Sequence, residues 1–250
     1  MKPSIIQLRN ANLHYAATAF KERSLKSLLA HPFRKQGKHT VNDIHALRDI
    51  NLDINTGERV GLLGHNGAGK STLLKSIAGL YPLSGGQRTV NGQIRSLFDI
   101  SLGFEPDASG RENILYRGLL LGMTPTQMRN CEAEIVAFAD LGEFIDYPIK
   151  AYSAGMQVRL AFAISTQISG DILLLDEVIG AGDAAFLSKA QKRMAQLVND
   201  AEIIVLASHD LSALKQWCNR GLVLQNGKLV FDGPIHSAID HYQNINPVTE

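Results

Sequence analysis

Apolar and polar residues alternate over 47–54 (Leu-Arg-Asp-Ile-Asn-Leu-Asp-Ile), the pattern of a strand with one buried face. Ile5–Leu8 reads as another strand, and Asn55-Thr56-Gly57 as a turn. A short apolar run, Arg59–Leu63, precedes a glycine-rich stretch, after which Ser71–Ala78 spaces its apolar residues as a helix does. Gly79–Gln87 reads as a turn region, and Val90–Ile94 as a strand with a turn. From Arg111 to Ser169 the pattern is mostly helical. Thr124-Pro125-Thr126-Gln127 is a helix start, with Thr as cap, Pro at the first position and Gln three residues on. Gly142 suits a helix stop near Leu141. Ile172–Leu175 and Ile203–Ala207 are unbroken apolar runs, expected of strands buried on both faces in a parallel sheet. Ala185–Val198 reads as an amphipathic helix between them. Gly221–Asp232 contains two strands joined by Asn226-Gly227, a hairpin turn. The tail after Gln243 is polar and expected to be loosely held.

Composition adds boundaries to this picture. The chain has 250 residues, 45% of them hydrophobic, enough for a substantial core. Its net charge is +1, which offers no general attraction for nucleic acid. Two cysteines, Cys131 and Cys218, lie far apart and in no metal-ligand spacing, which fits a reducing compartment. Met1–Ser4 begins no long apolar signal region, and no stretch approaches the ~20 apolar residues of a membrane helix, so a soluble protein is expected, with any membrane role arising through a partner. The connection 16–44 exceeds the about 12–15 residues of a plain loop. It carries Lys21, Arg23 and Lys26 among Leu25, Leu28 and Leu29, then Arg34, Lys35 and Lys38. Two readings stay open for it: a solvated surface helix, or a contact with acidic headgroups or a membrane partner.

The chemistry centres on Gly64-His65-Asn66-Gly67-Ala68-Gly69-Lys70-Ser71, which fits the phosphate-binding pattern GxxxxGK[ST] between a strand and a helix. Glycines let successive N–H groups face one concavity, and the helix adds its positive end. Lys70 is expected at the β- and γ-phosphates, with the Ser71 hydroxyl on Mg²⁺. A second motif is the apolar strand ending in Asp176, a carboxylate suited to the Mg²⁺ shell, and Glu177 follows where it can orient the attacking water.

A third feature makes the reading specific. Tyr152-Ser153-Ala154-Gly155-Met156, followed by a helix bearing Arg159, resembles the signature motif of ATP-binding cassette (ABC) ATPases, commonly L-S-G-G-Q, in the family's position ahead of the Asp176 strand. Leu83-Ser84-Gly85-Gly86-Gln87 spells L-S-G-G-Q but lies too close to the phosphate loop, with Thr89-Val90 resuming a strand; it is rejected as the signature. The resemblance implies an α/β fold: a P-loop NTPase with a RecA-like parallel-sheet core, an antiparallel β subdomain and a helical signature subdomain. As a single domain, 1–96 and 170–250 would form the core with its β subdomain, 97–169 the helical subdomain and 16–44 an insertion. It implies an ATP site using Tyr15 as the adenine-stacking aromatic, the loop Gly64–Ser71 with Thr72, and Ser153, Ala154, Gly155, Met156 and Asp183. Glu177, His209 and Lys70 would be catalytic, and Ser71 and Asp176 would hold Mg²⁺. Val178 stands where the family has Pro, Gly180-Ala181-Gly182 departs from its usual S-A-L, and Phe98–Pro106 lacks the expected Gln, leaving Asp99 as the nearest candidate.

The insertion, Leu102–Pro106, Ser109–Asn113 and Glu177–Asp183 together resemble ATPase subunits of polysaccharide exporters for O-antigen, capsule or teichoic acid, over about Ile5–Gln243. That implies a homodimer on the cytoplasmic face of the inner membrane, a separate membrane-spanning permease, and a lipid-linked O-antigen-type polysaccharide as cargo, since the resembling capsule subunits typically lack the long insertion and the teichoic acid subunits tend to be longer. The alternatives are another cargo (capsule, teichoic acid, lipid or drug) or a soluble regulatory ABC ATPase; a single cassette of near-zero charge disfavours nucleic acid. The two L-S-G-G-Q candidates are separable by experiment. Ser153→Ala is expected to slow ATP turnover at least ~10-fold, whereas Gln87→Ala leaves it within about twofold in a phosphate-release assay.

Overall fold

The computed structural model describes residues 3–15, 44–98, 103–167, 170–176 and 184–245. Two sheets share one core. The first is antiparallel, with order β2-β1-β4, built from β1 (Ile5–Tyr15), β2 (Ile44–Asn55) and β4 (Gly85–Asn91). Strand β1 runs seven residues past the expected Leu8. Its alternation breaks at Arg9-Asn10, where Asn10 takes φ 45 and the register with β2 shifts between Leu8 and Ala11. A bulge absorbs the extra residue, and Ala11 and Leu13 then turn back into the core. As the central strand, β1 has its backbone bonded from both sides even where its side chains are polar. Its last pair, Tyr15 with Ile44, closes the sheet on either side of 16–43, which lies outside the described residues along with the basic patch read there.

The expected turn through Gln87 ends earlier, because Gly85 already opens β4. The L-S-G-G-Q lookalike is therefore mostly strand: Gln87 pairs with Arg9 and Gly85 with Asn12. Gly86 sits at φ 85, and a Cβ there would stand 2.2 Å from the Asn10 carbonyl oxygen. The glycine is there so that β4 can pass the bulge.

The second sheet has the order β5-β6-β7-β3-β8-β9. Strands β3 (Arg59–Leu63), β5 (Ile94–Leu97), β6 (Ile172–Asp176), β7 (Ile203–Ala207) and β8 (Arg220–Gln225) run parallel, and β9 (Lys228–Pro234) returns antiparallel through Asn226-Gly227. Both turn residues have positive φ, 50 and 78, as the Asn-Gly pair predicts. The apolar runs are buried on both faces because each face is covered. On one, α1 (Lys70–Ile77) and the antiparallel sheet join Val60, Leu62, Leu174 and Val205 in a single cluster. On the other lie α5 (Ala184–Asp200), α6 (Leu211–Trp217) and α7 (Ile235–Ile245). Helix α7 carries the chain to Ile245, past the expected start of the loose tail, because Ile235, Ala238 and Ile239 form a buried stripe.

A helical lobe with its own core sits between β5 and β6: α2 (Gly110–Leu120), α3 (Pro125–Ala139), 3₁₀ turns at Gly142–Asp146 and Ile149–Ala151, and α4 (Ala154–Ser165). Both α2 and α3 begin in capping boxes, Ser109 with Glu112 and Thr124 with Gln127. Helix α3 stops at Ala139, close to the expected stop near Leu141, but its left-handed cap is Asp140 (φ 51), and Gly142 opens the first 3₁₀ turn. A short polar Asp tolerates that conformation, and Arg159 holds it there through its carbonyl and carboxylate.

Inside the lobe, fully buried Asn113 ties down the loop that enters it. Its amide NH₂ donates to the carbonyls of Glu105, Ala108 and Ser109 at 3.0, 3.2 and 2.9 Å, and its Oδ1 accepts from the Glu105 N–H at 2.7 Å. One side chain satisfies four backbone groups. Asn113→Ala is expected to cost about 2 kcal/mol, since the Glu105 N–H loses its acceptor while the three carbonyls, which also accept from the Ala108, Ile149 and Asn113 N–H groups, each lose a second donor; urea unfolding of the variant and wild type measures it.

Candidate functional site

Strands β3, β6 and β7 are parallel neighbours in one sheet, so their carboxyl ends share an edge, the place where open α/β sheets bind ligands. The phosphate loop leaves β3 there. Gly64, Gly67 and Gly69 have φ 153, 80 and 110, and Gly69 caps α1. The first helical bond is Leu73 N–H to the Gly69 carbonyl at 2.8 Å, so the amides before it point out of the helix end. The Lys70 ammonium curls into the loop, donating to the carbonyls of Gly64 at 2.5 Å and His65 at 3.3 Å. A cation inside a concavity of amide N–H groups is the arrangement an anionic polyphosphate fits. The His65 ring turns to the Asn66 carbonyl at 2.7 Å, Asn66, Gly67 and Ser71 are exposed, and Ala68 is buried.

Backbone grips the loop from both sides. The Gly227 N–H at the hairpin tip donates to the Ala68 carbonyl at 2.9 Å, and the Arg48 N–H donates to Gly227 at 2.8 Å. A Cβ on Gly64 would lie 2.6 Å from the Leu224 carbonyl oxygen, and one on Gly69 would lie 3.0 Å from that of Ala46. Nothing stands within 4 Å of a Cβ on Gly67, whose side of the loop is open.

Asp176 ends β6 half-buried, in register with Ala207. One residue past β7, Ser208-His209-Asp210 is held by local bonds: the Ser208 hydroxyl accepts from the Asp210 N–H at 3.0 Å, and the Asp210 carboxylate caps α6 by accepting from Ser212 and Ala213. His209 is thereby presented to solvent at the same edge. The cap Asp210 was not marked in the sequence; a Ser-His-Asp before a helix of seven residues is a cap signal that short periodicity hides. Tyr15, at the end of β1, rests its hydroxyl 3.3 Å from the Thr72 hydroxyl on α1 and its ring edge-on to Tyr81. The structure thus brings the phosphate loop, Thr72, Tyr15, Asp176 and His209 to one region.

The exposed Ser71 hydroxyl and the Asp176 carboxylate are hard oxygen donors, a set that suits Mg²⁺, which keeps water and phosphate ligands and needs few from protein. Among the described residues no three His, Cys, Asp or Glu side chains form an all-protein metal cage.

Ser153 lies apart, in the helical lobe, as the N-cap of α4, its Oγ accepting from the Met156 N–H at 3.3 Å. Ser153 and Ala154 are exposed, and Gly155 and Met156 half-buried. Tyr152 anchors the segment from below, its hydroxyl donating to the Phe144 carbonyl at 2.6 Å. Glu177, Asp183 and Asp99 lie outside the described residues.

Residues 47–180 match the family model described as ABC transporter. The chain is 45% identical over 187 residues to the O-antigen export system ATP-binding protein RfbE of Yersinia enterocolitica, covering 75% of this chain and 78% of the relative. It belongs to the ABC transporter ATPases. It is also 42% identical over 230 residues to the O-antigen export system ATP-binding protein RfbB of Myxococcus xanthus, covering 91% of this chain but only 51% of that relative's length. Among solved structures, a dimeric ATP-binding cassette in a post-hydrolysis state bound to ADP and Pi overlays with a TM-score of 0.67 at 22% identity, over 92% of this chain and 98% of that one. This likeness carries the fold: a P-loop α/β core, an antiparallel sheet and a helical lobe.

Gly64 and Gly67 of the ABC phosphate loop differ in what they tolerate. Gly64→Ala is expected to abolish nucleotide binding, because its Cβ meets backbone that cannot yield. Gly67→Ala meets no neighbour and bears only the left-handed strain of about 1–2 kcal/mol. Titration with a fluorescent ATP analogue, beside thermal melts, separates the two.

Proposed function

We propose that the chain is the ATP-hydrolysing subunit of an exporter that moves a lipid-linked, O-antigen-type polysaccharide across the inner membrane. The observation carrying the ATPase part is the meeting of the phosphate loop, Asp176 and His209 on one sheet edge while Ser153 caps a helix in another lobe. An ATP site so divided suits a homodimer, in which Ser153–Met156 of one copy complete the site formed by Gly64–Thr72 and Tyr15 of the other. Lys70 would exchange the Gly64 and His65 carbonyls for the β- and γ-phosphates, and Tyr15 would stack on the adenine. Mg²⁺, held by Ser71 and Asp176, supplies neutralisation of phosphate charge. Glu177 would orient and deprotonate the attacking water, with His209 contacting the γ-phosphate and Asp183 contributing to the nucleotide site.

No described helix is long and apolar enough to cross a membrane, so a separate permease would carry the polymer and seat the dimer at the cytoplasmic face. The cargo rests on the relatives, whose names place them in O-antigen export systems.

Glu177→Gln is expected to bind ATP with wild-type affinity, to run as a dimer on gel filtration when ATP is present, and to hydrolyse it at least ~1,000-fold more slowly. Normal turnover by that variant removes Glu177 as the base. For the cargo, deleting the gene in its host and restoring the Glu177→Gln form leaves lipid-linked polymer accumulating inside the cell; polymer reaching the surface normally rejects polysaccharide as the cargo.

A further inference from the structure

The carboxyl end of α3 is held by three cations from two other helices. Within the lobe, Arg159 of α4 donates to the Ala139 and Asp140 carbonyls at 2.9 and 2.7 Å. From the core, Lys189 of α5 donates to the Ala137 and Phe138 carbonyls at 3.1 and 3.0 Å, and Arg193 of α5 pairs with Glu134 at 2.7 Å. The last carbonyls of a helix have no partner of their own and carry its negative end, so cations are held there by charge as well as by hydrogen bonds. Beneath them, Phe138 of α3, Phe162 of α4 and Phe186 of α5 pack with centroids 5.7, 5.9 and 6.0 Å apart. Lys189 also stands 4.7 Å over the Phe138 ring, and Arg159 5.5 Å over that of Phe186.

This joint has a direction. Arg159 lies on the helix capped by Ser153, so the end of α3 fixes where α4 points. Lys189 lies one to two turns into α5, the helix that directly follows Asp183 in sequence. A displacement of α5 therefore reaches the signature helix through the end of α3 as well as through the direct Phe186–Phe162 contact, while the phosphate loop, on the far face of the sheet, makes no part of the joint.

We propose that Lys189 is a positioning residue that couples α5 to the signature helix, so that the segment each copy extends toward its partner's ATP moves together with α5. The proposal rests on the dimeric ATPase reading. Lys189 touches no nucleotide; it acts through α3 and Arg159.

The test is Lys189→Met, which keeps the stem over Phe138 and deletes the ammonium, beside Lys189→Arg, which restores a cationic donor. Steady-state hydrolysis by the Met variant is expected to show kcat reduced about tenfold with the KM for ATP within about twofold, and the Arg variant to recover most of the loss. Hydrogen exchange on the nucleotide-free chain is expected to quicken at 135–140 and 154–160 and to stay unchanged at 70–77. Wild-type exchange at both helix ends overturns the proposal, as does a kcat equal to wild type or a KM that moves with kcat. If the wild-type chain itself turns over no ATP, the function reading fails, and the exchange comparison alone decides the coupling.

Discussion

Everything at the nucleotide edge depends on close approach of backbone to backbone around the phosphate loop. The loop bends at Gly64 because a carbonyl of β8 lies where a side chain would start, and at Gly69 because a carbonyl of β2 does the same. The hairpin tip then bonds to the loop from above through Gly227. A loop gripped in this way keeps its amides aimed without a ligand to organise them, so little ordering remains to oppose binding. Apart from Tyr15, what the antiparallel sheet and the β8–β9 hairpin contribute here is the grip that holds the loop.

The second half of the arrangement is looser by construction. The helical lobe has its own core, of Ile114, Ile135, Leu160 and Ile164, separate from those on either face of the main sheet. It meets the main body through an aromatic cluster rimmed by cations. One lobe holds the phosphate loop, Asp176 and His209 on one sheet edge, and the other presents Ser153 from a separately packed core.

Legibility in the sequence followed the kind of signal. The buried parallel strands, the Asn226-Gly227 hairpin and the Thr124 cap were readable because each follows from local pattern or turn chemistry. So were the phosphate loop and the L-S-G-G-Q lookalike, which the structure places largely in strand β4. The misses came from longer-range causes. Strand β1 outran its alternation because two neighbours satisfy its backbone, and the cap of α3 falls on Asp140 and not on Gly142 because Arg159, nineteen residues away in sequence, holds Asp140 in a left-handed turn. Asn113 and Lys189 were illegible for the same reason: their partners are main-chain carbonyls, which look alike in every sequence.

Tyr15 and Ile44 are paired across the antiparallel sheet, so the chain leaves β1 and rejoins β2 at almost the same point. The closure entropy of the connection between them rises only logarithmically, about 0.6 kcal/mol per doubling of length. That doorway is therefore a place where evolution can lengthen, shorten or exchange a segment without disturbing the frame. It opens beside the residue that rests on α1, so a new segment grafted there arrives next to the helix that follows the phosphate loop at little cost to the fold.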